Sequence, residues 1–283
     1  MPKMRWKSFP YLDKAYDYSG IRLNEHWSRL HNGDREPYPT PADLKKLIDG
    51  RQEFAPPESL EQATSKLQDA WRAYHRGDFG EAVELGLAVG PLGYSVANKA
   101  ANIYATYLET SESAKLALLL ESAERAEFVF ARASSLVNAW YFHAQALGRY
   151  SQGISVVKAL AQGLGGKVRA SLDQAIQLEP RHADAHIALG SFHAEILNKV
   201  GVLLGGLTYG ASQAEAVKQF ETALRLNPQS AIARIEYANG LVMMFGKSEL
   251  ARATNLYKEA ARCPAADAME RLDVELAKSE LEE

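Results

Sequence analysis

The chain has a single cysteine, Cys263, among its 283 residues. An internal disulfide framework is therefore excluded, and a lone thiol fits a reducing compartment such as the cytoplasm. Cys263 stands beside Pro264 with no histidine near it in sequence, which reads as an inert thiol rather than a nucleophile. Long hydrophobic runs are also missing. No stretch approaches the roughly 18 apolar residues of a membrane span, and the basic start, Met1 to Pro10, is not followed by the apolar core of a secretory signal. Charge of one sign is not in excess, since 32 basic residues face 35 acidic ones. The whole-chain field therefore calls for neither nucleic acid nor an anionic membrane. Proline is scarce where it matters: seven of eleven fall within the first 57 residues, leaving the rest free to form helices.

Catalytic and cofactor signatures are missing as well. The glycine clusters Gly163-Leu-Gly-Gly166 and Gly201-Val-Leu-Leu-Gly-Gly206 lack the Gly-x-x-x-x-Gly-Lys-Ser/Thr arrangement of a phosphate cradle and follow no predicted strand, so they read as turns between long helices. No Ser-His-Asp or Cys-His set stands at a telling spacing, and no paired carboxylates suggest general acid and base work. His182, His186 and His193 share one helix face at spacings of four and seven, a geometry zinc could use. Two of the three fall at packing positions of a repeat, and a structural role is the reading taken. The expectation is a chain that is not an enzyme and holds no cofactor and no metal.

What is present is repetition. Ser171-Leu-Asp-Gln-Ala-Ile-Gln-Leu-Glu-Pro180 returns as Gln219-Phe-Glu-Thr-Ala-Leu-Arg-Leu-Asn-Pro228, and a looser third copy, Tyr257-Lys-Glu-Ala260 before Pro264, follows. After the first two prolines come Ala185-His-Ile-Ala-Leu-Gly190 and Ala233-Arg-Ile-Glu-Tyr-Ala238. Such self-similarity marks stacked helical pairs, each burying its neighbour's apolar face. Small and aromatic residues then fall at fixed places. With Pro228 at repeat position 32, Ala223, Phe220 and Ala216 take positions 27, 24 and 20; Gly190 and Gly148 take position 8, and Gln219 takes the more tolerant position 23. This register resembles that of tetratricopeptide-repeat proteins. The resemblance implies an all-α, right-handed solenoid of stacked antiparallel helical pairs.

The spacing departs from a plain repeat in one respect. Gly190 to Ala216 spans 26 positions where 12 are expected, and Gly148 to Val168 spans 20. The first helix of each pair, or its turn, is lengthened. With the run Asn198-Lys-Val-Gly-Val-Leu-Leu-Gly-Gly-Leu-Thr-Tyr-Gly-Ala-Ser212, this looks like the regulator of microtubule dynamics family and its bacterial relatives. A further likeness runs to the tetratricopeptide-like components of bacterial solute transporters, though the lipidated cysteine those carry near the start is not found here.

Three segments are expected: residues 1–57 as a proline- and aromatic-rich arm packed on the solenoid, 58–264 as the repeat body, and 265–283 as an acidic capping helix. Within the arm, helices are predicted over Ile21 to His31 and Ala42 to Ile48, the second opened by Thr40 and Pro41. Trp27-x-x-x-His31-x-Gly33-Asp34 recurs as Trp71-x-x-x-His75-x-Gly77-Asp78. Both copies read as a helix end, a glycine C-cap and an aspartate N-cap of the next helix. The capping helix should lay Met269, Leu272, Leu276 and Leu281 against the Asn255 to Cys263 helix.

Function is then expected at a surface. First helices line the concave side of such a solenoid, here through Gln145, Arg149, Ile187, Ser191, Glu195, Asn239 and Met243. Of the Lys, Asn and Arg set that grips peptide carboxylates in tetratricopeptide proteins, only Asn239 matches. Leu203, Leu207 and Tyr209, in the lengthened stretch, either wall a groove or fill a small core of their own. The first reading is a non-catalytic protein that binds a protein or peptide partner; the alternative is a carrier of an apolar small molecule or lipid.

Overall fold

A computed structural model describes residues 6–282; Pro2 of the arm and Glu283 of the acidic end lie outside the described residues. Every regular element in that range is a helix. The chain packs as two compact units, one made of residues 6–28, 36–153 and 267–269, the other of 29–35, 154–266 and 270–282.

The first unit is built from α1 (Arg22–Leu30), α2 (Pro41–Ile48), α3 (Leu60–Arg76), α4 (Phe79–Ala88), α5 (Tyr94–Tyr107), α6 (Glu112–Phe130) and α7 (Val137–Gln152), with the last two residues of α1 counted in the second unit. From α3 onward each helix packs on the next. Local chemistry sets the boundaries. Thr40 caps α2 by accepting the Asp43 N–H, and Ser59 and Gln62 form a reciprocal capping box on α3. Gly77 ends α3 at φ 95°, a conformation that glycine adopts without a Cβ clash. The aromatic arm closes the α3–α4–α5 layer: Phe9 presses on Gly77 and meets Phe79 edge-on, while Trp6 presses on Gly80 and meets the Tyr104 ring at 4.6 Å. Proline keeps this segment from coiling, so its rings are free to lie across helix ends.

The repeated Trp-x-x-x-His motif divides. In the second copy Gly77 is the expected C-cap, but Asp78 gives α4 no side-chain cap and instead accepts from Arg76 Nε at 2.6 Å. His75, fully buried, bonds Asp267 at 2.8 Å. The first copy departs from the expectation at both positions. Gly33 is not left-handed; its lack of a side chain leaves room for Asp184, whose carboxylate lies where a Cβ would stand. Asp34 caps no helix and instead pairs with His31 at 2.9 Å, both side chains inaccessible.

The second unit comprises α8 (Val156–Ala161), α9 (Leu164–Leu178), α10 (Ala183–Val200), α11 (Val202–Tyr209), α12 (Gln213–Leu226), α13 (Ala231–Phe245), α14 (Leu250–Ala260) and α15 (Ala268–Glu282), whose first two residues belong to the other unit. Its core gathers Ile187, Ala216, Phe220, Ala223, Ala233, Tyr237 and Leu241. The small residues at their repeat positions let α10, α12 and α13 approach one another around the Phe220 ring. Gln219 is not the tolerant position that the frame predicts. It is 8% exposed, bonded to His186 and donating to Glu215, because α10 covers the face on which it lies.

The lengthened stretches fold as extra helices on the turns. α10 runs eighteen residues and stops at Gly201, φ 84°, after which α11 forms a separate short helix; α8 occupies the equivalent turn between α7 and α9. On the acidic end, the contact with Ala260 is made by Val274 and Ala277, with Tyr257, Cys263 and Leu276 packed around it. Leu281 of the expected stripe is exposed. Leu272 is buried and Leu276 packs as expected, and the buried face is wider than the predicted stripe, taking in Asp273 as well.

Candidate functional site

Gln145 and Arg149 lie on α7 in the first unit, where Gln145 accepts from Asn102 Nδ2 at 2.9 Å and Arg149 reaches Gln152 at 3.3 Å. The other eight candidates lie in the second unit. Four of them come together on α10 and α13. Ser191 and Glu195 stand one turn apart on α10; Asn239 and Met243 stand one turn apart on α13. The two helices are joined here by Ser191 Oγ donating to Glu236 Oε2 at 2.9 Å. Glu236 thus belongs to the same row, although it falls outside the repeat positions used to choose the candidates. Glu195 pairs with Lys199 at 3.0 Å, and Met243 is open to solvent.

Asn239 is held from the next helix. Burial pushes the Tyr257 phenol up to about 12, so it keeps its proton and donates to Asn239 Oδ1 at 2.6 Å. That bond leaves the amide nitrogen as the end of the side chain available for donation outward. Tyr237 is likewise raised to about 12 by burial, and its hydroxyl donates to Glu221 while Arg252 donates to its oxygen.

Ile187 is not part of this surface. It is 5% exposed and belongs to the core with Phe220, as does its repeat equivalent Ile235 in the neighbouring α14–α15 contact. An apolar side chain at position 5 is drawn into the seam between successive helices, since burial there removes it from water. The lengthened stretch is placed the other way. Leu203 and Leu207, one turn apart on α11, are 75% and 78% exposed, and only Tyr209 packs, its ring against Gly165 at the start of α9.

The three histidines are dispersed into structural roles. His182 caps α10 by accepting the Ala185 N–H at 3.0 Å; His186 bonds Gln219 and the Pro180 carbonyl; His193 accepts the Ser212 N–H at 3.4 Å. Burial, assisted by Arg169, lowers His193 to about 4, so it is neutral at ordinary pH. Cys263 is pushed up by burial and donates to the Glu259 carbonyl, the behaviour of an unreactive thiol. Among the described residues, no group of three or more His, Cys, Asp or Glu could hold a metal ion, and no helix is long and apolar enough to cross a membrane.

The row on α10 and α13 therefore offers two carboxylates, a hydroxyl, an amide and a thioether side by side. Such a set can hydrogen-bond and pack against a partner. Sequence reasoning missed Glu236 and also α8, where Val156, Val157 and Leu160 stand exposed. The signal for α8 was Ser155-Val-Val-Lys-Ala-Leu-Ala161, an apolar stretch behind a serine cap.

No family model matches the chain, and no curated protein matches it. Among solved structures it is similar to TTC0263, a thermophilic tetratricopeptide-repeat protein of Thermus thermophilus, with 19% sequence identity and a TM-score of 0.53 over 77% of this chain and 99% of that one. The chain is thus an all-α stack of helices of tetratricopeptide-like fold.

Proposed function

We propose that this chain is a non-catalytic binding or scaffolding protein of the cytoplasm that takes a protein or peptide partner on the α10–α13 face. The observation that carries the reading is the row Ser191, Glu195, Glu236, Asn239 and Met243, in which Ser191 and Asn239 are pre-positioned by bonds to neighbouring helices, Glu195 by Lys199 of its own helix, and an exposed thioether lies at one end. Pre-positioned groups lose little freedom when a partner arrives, so even a modest row of this kind can bind usefully. Asn239 has its oxygen taken by Tyr257 and its nitrogen left to donate, and Glu236 sets a carboxylate one turn away on the same helix; together they suit the alternating N–H and C=O groups of an extended peptide. The likeness to the regulator of microtubule dynamics family rests on the same region and is compatible with an adaptor role.

The carrier of an apolar molecule has less support, because Leu203 and Leu207 face solvent rather than an enclosed wall. Native mass spectrometry of gently purified protein separates the two. A co-purified polypeptide mass that is lost from an Asn239→Ala, Glu236→Ala variant supports the binding protein. A co-purified small mass retained by that variant would replace it with the carrier.

A further inference from the structure

The second unit gathers most of its exposed apolar side chains at one end, with Leu178 and Leu281 standing apart. α8 leads through Gln162 and Gly163 into the start of α9, and Tyr209 at the close of α11 lies against Gly165 in that same first turn. Gln213 Nε2, at the start of α12, donates to the Met244 carbonyl at 2.9 Å, which brings the end of α13 to the same place. The helix-joining turns of this end therefore carry Val156, Val157 and Leu160 from α8 and Leu203, Leu204 and Leu207 from α11, every one exposed. Phe245, closing α13, is exposed beside them.

Free positive charge lies close to these turns. Arg169 and Lys199 are paired with Asp173 and Glu195, but Lys158, Lys167 and Lys247 also stand in the segments 151–169, 196–214 and 242–250, where Glu249 is the single acid, in a chain whose acids outnumber its bases. α11 itself carries no charge at all. We infer that this end of the second unit docks on an anionic lipid bilayer, with α8 and α11 lying in the headgroup layer and Lys158, Lys167 and Lys247 meeting lipid phosphates and carboxylates.

Two features favour a bilayer over a protein partner. Lysine is depleted in the cores of protein interfaces, and leucine and valine are under-represented among their hot spots, whereas short apolar helices rimmed by lysine are the composition of interfacial membrane contacts. The apolar side chains also stand on the tips of turns rather than around a groove. Leu203 and Leu207 are more than 70% exposed, a convex presentation that suits a fluid surface better than a shaped one. Lysine stems can lie along the apolar face while their ammonium groups reach the headgroups. This docking adjoins the α10–α13 row, whose Met243 stands two residues before Phe245, but it is read by vesicle binding and the row by a co-purified polypeptide, so each can fail without the other.

The test is co-sedimentation of the full chain with vesicles of phosphatidylcholine alone and of phosphatidylcholine mixed with phosphatidylserine, at low and high salt. The expected result is binding to the anionic vesicles that weakens with salt, falls about tenfold or more in Leu203→Ser, Leu207→Ser, and falls comparably in Lys158→Glu, Lys167→Glu. Both double variants replace exposed side chains, and unchanged circular dichroism melts confirm that each still folds. Equal binding to both vesicle types, no binding to either, or binding that survives the leucine changes overturns the inference. Sedimentation velocity provides the other occupant's signature: a concentration-dependent dimer that the leucine changes abolish, without vesicle binding, assigns this end to a second copy of the chain instead.

Discussion

Phe220 lies almost face to face with Tyr237, ring centroids 5.1 Å apart and planes 18° apart, and Gly190 and Gly240 flank it so closely that a Cβ on either would stand 2.8 Å or 2.7 Å from the ring. The second unit is thus organised around one aromatic side chain from α12, seated between glycines of α10 and α13. That arrangement gives two residues of the same repeat position opposite roles. Gly190 and Gly148 both hold position 8, yet a Cβ at Gly148 meets nothing within 4 Å.

Gly190→Ala is expected to lower stability by about 1–3 kcal/mol, because the added methyl drives the ring from its seat. Gly148→Ala is expected to raise stability by about 0.5–1 kcal/mol, the helix-propensity gain with no contact to oppose it. Urea unfolding of the two variants reads the sign of each directly. Two changes of the same sign would mean that the Phe220 seat is wrongly described.

Ala223→Leu should cost roughly 1–3 kcal/mol, since Ala223 has no exposed surface and faces α13. Ala214→Leu, on the exposed face of the same helix, should change stability by less than about 0.5 kcal/mol. Thermal melts in which the two variants behave alike would contradict the packing of α12.

His193 makes stability depend on pH with a definite sign. Its folded value of about 4 lies below the ordinary 6.5, so the unfolded chain binds the extra proton and stability falls as pH drops through the interval between them. The loss attributable to this residue is at most about 3 kcal/mol. Arg169 opposes the protonated form, and Glu215 and Asp173 favour it, so the charges around it partly offset one another. In His193→Gln the denaturation midpoint should fall less steeply between pH 6.5 and pH 4 than in the parent. Parallel curves for parent and variant would show that His193 titrates normally.

Removal of residues 265–283 should lower both solubility and melting temperature. It strips Val274 and Ala277 from Ala260 and Ile235, uncovering the last layer of the second unit, and takes Asp267 from His75 in the first. A truncated chain of equal stability and solubility would make this segment a free tail.

The stacked pairs were legible because Ala216, Phe220, Ala223 and Pro228 are repeated at fixed intervals, and a periodic core writes itself into composition. Three things were less legible. Ile187 was assigned to the surface because repeat position says which helix face a residue occupies, while the depth to which a β-branched side chain sinks depends on its neighbours. His31 and His75 sit in the same Trp-x-x-x-His motif, but His31 pairs locally with Asp34 while His75 pairs with Asp267, 192 positions away. The nearly neutral total charge hid the basic end of the second unit, because a whole-chain sum averages away a surface built from three separated turns. On the α10–α13 row, Ser191 and Asn239 were found by frame alone; Glu236 required the fold, which brings its carboxylate to Ser191.

The central functional claim is that a partner lies along the α10–α13 row, and site-specific photo-crosslinking tests it most directly. A photoreactive residue placed at Asn239 or at Met243, at the exposed end of the row, should join the chain to a discrete protein partner in cells, and one placed at Lys218, exposed on α12, should not. Crosslinks of equal yield from all three positions, or a discrete adduct from Lys218 alone, would contradict it.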